Sequence, residues 1–150
     1  MNSQTLFQNY FNYSPTSSSN AHGRVNLIGE HTDYNNGFVL PTLIEQKIDV
    51  SLKLRSDSKI VGISEEFGEN NDDLNSKTDG TWLDFVKGVS YYMSREGHPI
   101  TGLDVAVTSN IPSGSGLSSS AALEISLLRA LSQSTGFLLN SSKMAQIGQL

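Results

Sequence analysis

The stretch Leu103-Asp-Val-Ala-Val-Thr-Ser-Asn-Ile-Pro-Ser-Gly-Ser-Gly-Leu-Ser-Ser-Ser-Ala121 runs from an alternating apolar segment, through a turn-rich loop, into a helical pattern. Leu103, Val105 and Val107 recur at period two and predict a strand. From Ser118 onward, Ala122, Ile125, Leu128 and Leu131 recur at helical spacing, and Gly136 ends the helix. The loop between them, Ser109–Gly116, carries Gly114 and Gly116, which lack Cβ and let a ligand approach the backbone. The first helical turn offers unpaired N–H groups and the positive end of the helix dipole, a ready site for an anion such as phosphate. Ser118, Ser119 and Ser120 add hydroxyls for phosphate oxygens or a bound cation. A plainer reading competes: a flexible loop with a serine cap on the helix. Two better-known phosphate motifs do not fit. No Lys lies between Lys87 and Lys143, and Ser119 stands where a third glycine of G-x-G-x-x-G belongs.

Outward from this unit the chain mixes helices and strands. Phe7, Tyr10 and Phe11 have the i, i+3, i+4 spacing of a short N-terminal helix. Ile48, Val50, Leu52 and Leu54 alternate with Lys47, Asp49, Ser51, Lys53 and Arg55, as in a half-buried strand. A turn at Asp57–Ser58 and a second strand, Lys59–Ser64, predict a hairpin. Residues 65–80 are acidic, rich in Asn and Gly and without period, and read as an exposed loop. Trp82, Phe85, Val86, Val89 and Met93 predict a helix over Thr81–Glu96, stopped by Gly97 and Pro99. A last helix starts near Asn140 or Ser141. This order points to an α+β fold with a mixed sheet and packed helices.

Gly23-Arg-Val-Asn-Leu-Ile-Gly-Glu-His-Thr-Asp-Tyr34 is the densest run of chemistry-bearing side chains. Alternation through Val25–Leu27 followed by Gly29 predicts a strand ending in a turn, with Glu30, His31 and Asp33 clustered beyond it. Paired carboxylates accept hydrogen bonds from neighbouring hydroxyls, so Glu30 with Asp33 could grip a polyol such as a sugar. Arg24 could hold a transferring phosphoryl group or lower a carboxylate pKa. Surface turn bonding, a structural ion pair at Arg24, and a metal triad of His31, Asp33 and His98 are the competing readings.

Composition removes other classes. No apolar run approaches the roughly 18 residues that span a bilayer. The first 23 residues hold no Lys, Arg, Asp or Glu and do not resemble a secretory leader, so a cytoplasmic location is expected. Cysteine is absent, which removes disulfides and thiolate chemistry. The net charge of −5 lacks the basic footprint of a nucleic-acid binder.

Three of these motifs together resemble the galactokinases of the GHMP kinase superfamily. GRVNLIGEHTDYNNGFVLP resembles the galactokinase signature, IPSGSGLSSSAALE the superfamily's ATP-binding motif, and TWLDFVKGV the family's W-x-x-[YF]-V-[KR]-G segment. They occur in the family's order and at suitable spacing, so the resemblance covers nearly the whole chain. The resemblance implies an N-terminal lobe like ribosomal protein S5 domain 2. It implies transfer of the ATP γ-phosphoryl to α-D-galactose, giving galactose 1-phosphate. Carried over by position, Arg24 is the arginine beside the attacked phosphate, and Glu30, His31, Thr32 and Asp33 take the sugar. Gly114, Ser115, Gly116, Leu117, Ser118, Ser119 and Ser120 form the phosphate loop at 112–121, with Ser120 matching the Mg²⁺-binding serine. Trp82, Phe85 and Val107 match the adenine pocket, although an aromatic stripe at helical spacing is also what core packing gives. A monomer is expected for a complete enzyme. A galactose and ATP sensor without catalysis, and an N-acetylgalactosamine kinase, are the alternatives.

His22 departs from the family's usual Pro before Gly-Arg, which frees the backbone there. The larger departure is length. Family members carry a Mg²⁺-binding Glu and a catalytic Asp after the helix that starts near Asn140 or Ser141, beyond Leu150. The expectation is therefore a truncated lobe, 1–150, inactive alone.

Overall fold

A computed structural model describes residues 1–147, apart from the side chain of Asp33. The chain runs α1 (Ser3–Phe11), β1 (Ser17–Ile28), a 3-10 turn (Asp33–Asn35), β2 (Leu40–Arg55), β3 (Lys59–Ser64) and β4 (Gly68–Asp73). It continues with α2 (Leu83–Arg95), β5 (Gly102–Ser109), α3 (Ser119–Thr135) and α4 (Ser141–Ile147). The α+β expectation holds. The five strands form one mixed sheet in the order β1-β2-β5-β3-β4, antiparallel except for β3 against β5. No described helix is long and apolar enough to cross a membrane.

The helices cover both faces of the sheet. Ile48, Val50 and Leu52 of β2 join Leu103, Val105 and Val107 of β5 in one core with Val86 and Met93 of α2 and Leu127, Leu128 and Leu131 of α3. On the other face Ser51 is fully buried and shares a 2.8 Å hydrogen bond with Ser3 of α1. Phe7 of α1 is buried and stacks near Phe11 and Tyr13. Beneath it Tyr13 donates to Asp104 at 2.5 Å, and Arg55 reaches the same carboxylate at 2.8 Å. Burial and that bond to Asp104 push the Tyr13 phenol up to about 12.

Three sequence expectations need correction. The hairpin of residues 47–55 with 59–64 does not form, because β5 lies between β2 and β3. β5 is buried along nearly its whole length, so it takes the centre of the sheet and outcompetes the local pairing. The β2–β3 link instead crosses over Gly102, where a Cβ would stand 2.2 Å from the Asp57 carbonyl oxygen. Glycine is therefore required at that crossing. Second, β5 has no solvent face: Asp104, Ala106 and Thr108 are as buried as their apolar neighbours. Third, residues 65–80 are not all loop. Gly68–Asp73 forms the edge strand β4, paired along β3 from Lys59↔Asp73 to Ser64↔Gly68.

The polar run at residues 17–20 also belongs to the sheet. Ser17 donates to the Ala130 carbonyl at 2.8 Å, and Ser19 to the Ser126 carbonyl at 2.5 Å. These hydroxyls tie β1 to α3 where apolar side chains are missing.

β4 carries no apolar side chain, and a buried ion pair anchors it. Lys87 of α2 is almost fully buried and contacts Asp72 of β4, Asp84 at 3.3 Å and the Lys77 carbonyl at 3.0 Å. Burial alone would lower the Lys87 pKa, but the two carboxylates outweigh it and the pKa is raised. The Lys87 contact, with help from Ser76 and the Asp73 amide, lowers Asp72 to about 2. A carboxyl depressed on folding contributes stability above its unfolded value, lost as pH falls through the folded one. Asp72 therefore adds a loss of stability between about pH 4 and pH 2. Acid melts should show Asp72→Asn falling less steeply than wild type across that window; parallel curves would remove Asp72 from the anchor.

Candidate functional site

The loop from β5 to α3 is built of alternating left-handed turns. Gly114, Gly116 and Ser118 have φ of 68°, 71° and 61°. The added Cβ at Gly114 or Gly116 would meet nothing within 4 Å, so the loop borders open space at both glycines. Such alternation points successive N–H groups toward one spot. Ser118 is a non-glycine residue in the left-handed region, which costs roughly 1–2 kcal/mol and persists only where neighbours hold it. Arg24 is that neighbour: its guanidinium donates to Ser118 Oγ at 2.8 Å, and its amide donates to the Leu117 carbonyl at 3.0 Å.

The serine-cap reading fails on this geometry. Ser118 occupies the N-cap position of α3 but makes no capping hydrogen bond. The first amides of α3 thus lack a side-chain acceptor at the helix's positive end. Gly23 makes the approach of β1 possible, since a Cβ there would lie 2.8 Å from the Leu117 carbonyl oxygen and 3.1 Å from Ile111.

A cleft of about 460 Å³ opens beside this loop. Trp82, Phe85, Val107, Ser119 and Ser120 all line it. The structure brings these sequence-predicted residues together from α2 and its N-cap, β5 and α3. Trp82 and Phe85 also pack against the core, so core packing and cleft lining both hold. Gly114, Ser115, Gly116, Leu117 and Ser118 form the loop without lining the cleft itself.

Part of the remaining wall comes from residues that the sequence reading assigned to an exposed loop: Glu66, Phe67, Glu69 and Asn70, on β4 and the turn before it, face the cleft beside Ser64 of β3. Glu66 accepts a hydrogen bond from Ser113, joining this turn to the phosphate-loop side. One signal was available in the sequence: Gly62 interrupts an apolar strand. A Cβ there would stand 2.6 Å from the Trp82 ring, so the indole lies against bare backbone.

The second cluster follows the end of β1. Gly29 turns the chain at φ 95°, and Glu30 and His31 are exposed beyond it. His31 Nδ1 lies 2.8 Å from the Tyr34 hydroxyl, which leaves Nε2 facing outward. Thr32 Oγ1 donates to the carbonyls of Gly29 at 3.0 Å and Phe38 at 2.8 Å, so this hydroxyl closes the loop. Asp33 begins the 3-10 turn, and its side chain lies outside the described residues. Arg24 precedes Ile28 by four residues on β1, roughly 13 Å at the usual strand rise. The loop at 29–38 and the loop at 112–120 therefore attach to one strand.

The metal-triad reading gains nothing here. His98 stacks on Phe137 with ring centroids 3.7 Å apart. Among the described residues no group of three or more His, Asp or Glu could hold a metal ion.

Comparison with known proteins joins these observations. Residues 5–53 match the galactokinase galactose-binding signature, and residues 84–150 match the GHMP kinases N terminal domain. The structure superposes on galactokinase of Lactococcus lactis, solved in complex with galactose, with a TM-score of 0.81 and 33% identity. That match covers 97% of this chain and 40% of that one, so the chain spans well under half of the galactokinase it resembles. Mevalonate kinase of Methanococcus jannaschii shares the fold at a TM-score of 0.75 and 19% identity, over 87% of this chain and 44% of that one. Phosphomevalonate kinase of Streptococcus pneumoniae, solved with phosphomevalonate and AMPPNP, shares it at 0.69 and 14%, over 87% and 40%. The galactose-binding signature on β1 and β2, together with the N-terminal domain carrying α2, β5 and the loop before α3, means that this chain belongs to the galactokinase family of the GHMP kinases.

Proposed function

We propose that this chain carries the ATP cradle and the sugar grip of a galactokinase, which transfers the γ-phosphoryl of ATP to the anomeric hydroxyl of α-D-galactose. The observation that carries this reading is convergence. Aromatic, apolar and serine residues from distant segments line one cleft, with an arginine bonded to the loop beside it. Phosphoryl transfer asks for positioning and charge neutralisation rather than covalent chemistry. In this reading Trp82, Phe85 and Val107 hold the base. The α3 N-terminus and the amides from Gly114 to Ser120 take the phosphates, and the Arg24 guanidinium meets the charge on the transferring group.

Mg²⁺ bound with the nucleotide would neutralise phosphate charge. Ser120 fits as one ligand, because its hydroxyl opens on the cleft and makes no hydrogen bond among the described residues. A single protein oxygen beside phosphate oxygens and waters is an ordinary Mg²⁺ environment. Glu30, the outward Nε2 of His31, and Asp33 take the sugar hydroxyls, while Thr32 fixes the turn that presents them. The galactose-bound relative supports this assignment of the loop.

Two measurements test the reading. Calorimetry should detect MgATP binding to the chain. Gly23→Ala, which pushes β1 off the Leu117 carbonyl, should weaken that binding by about tenfold or more, since overpacking costs about 1–3 kcal/mol. Affinity unchanged by Gly23→Ala would detach the loop geometry from nucleotide binding. Saturation-transfer NMR should give signals for galactose that fade in His31→Ala, with weaker signals for glucose. Equal signals for both sugars, or for N-acetylgalactosamine above galactose, would contradict the sugar assignment.

A further inference from the structure

The cleft holds a polar side chain that neither the sequence motifs nor the phosphate loop account for. Asn70 lies on β4 directly across from Gly62 on β3, so the two share one face of the sheet. Gly62 is where the Trp82 ring rests on the backbone. Asp72, two residues along β4, projects to the same side and meets Lys87 of α2, which fixes the direction of that face. The Asn70 carboxamide therefore stands beside the indole in the cleft.

Most other polar side chains on this side of the cleft are already engaged, Thr81 Oγ1, buried without a partner among the described residues, being an exception. Glu69 accepts from the Tyr10 hydroxyl at 2.8 Å, and Glu66 accepts from Ser113. Ser64 Oγ accepts from the amides of Glu66 and Phe67, and Ser109 Oγ accepts from the Ile111 amide. The Asn70 side chain has no hydrogen-bond partner among the described residues. Trp82 Nε1 is buried beside it without an acceptor. The Asn70 carboxamide thus offers the cleft a donor–acceptor pair next to flat apolar surface. A heteroaromatic base with adjacent amino and ring-nitrogen positions complements that set.

We propose that Asn70 sets the base specificity of the nucleotide: its carboxamide pairs with the amino group and adjacent ring nitrogen of adenine. The inference rests on the nucleotide reading of the cleft. A carboxamide supplies one donor and one acceptor to one edge of adenine. An aspartate in its place is acceptor-only, so it repels the ring nitrogen and suits the two adjacent N–H donors of guanine.

Trp82 is the chain's one tryptophan, so its fluorescence reports on this wall directly. ATP and GTP are titrated into wild type, Asn70→Asp and Asn70→Ala, with calorimetry alongside and circular dichroism to verify folding. The expected result is ATP preferred by wild type, ATP affinity reduced about tenfold in both variants, and the ATP-to-GTP ratio lowered further in Asn70→Asp than in Asn70→Ala. ATP binding by wild type with the same ratio in all three proteins would overturn the role of Asn70 and leave the nucleotide reading standing. Binding of neither nucleotide by wild type would overturn both.

Discussion

The backbone contact between β1 and the loop before α3 governs the rest of the site. Gly23 has no side chain, so the Arg24 amide reaches the Leu117 carbonyl at 3.0 Å. That places the guanidinium on Ser118 and holds it in a left-handed conformation it would otherwise avoid. Because Ser118 is turned away from capping, the amides at the start of α3 stay open to an anion.

The sheet order makes this contact possible. β5 sits at the centre with helices over both faces, so the loop at its end emerges from the best-buried strand of the molecule. The long antiparallel pairing of β1 with β2 carries Arg24 to that loop and continues to the turn at Gly29. One strand thus serves both clusters, and the distance between them is set by strand geometry. The opposite wall is cheaper in contacts: β4 is held by the pairing to β3 and by Lys87, with no apolar anchor of its own.

Where chemistry and local pattern coincide, the sequence was legible. The strand into β5, the glycine-spaced loop, the stripes of α2 and α3 and the turn after Gly29 could all be read directly. The hairpin expectation failed because pairing is decided by burial across the whole sheet, and β5 outcompetes a neighbour in sequence. The polar β4 was invisible to periodicity, since its stabilisation comes from backbone bonds, the Lys87 ion pair and hydrogen bonds from Tyr10 and Ser58 to its carboxylates. Its wall of the cleft, including Asn70, was missed with it. Gly62 was the residue that could have announced it. The serine cap was a reasonable expectation from composition, and only the φ of Ser118 and its bond to Arg24 decide against it.

The most direct measurement is a double-mutant cycle on MgATP affinity, using Arg24→Ala, Ser118→Ala and the pair. The account predicts strong non-additivity: once Arg24 is removed, further loss of the Ser118 hydroxyl should matter little, because the two act as one contact. Losses that simply add would contradict the claim that β1 organises the phosphate loop through Arg24 and Ser118.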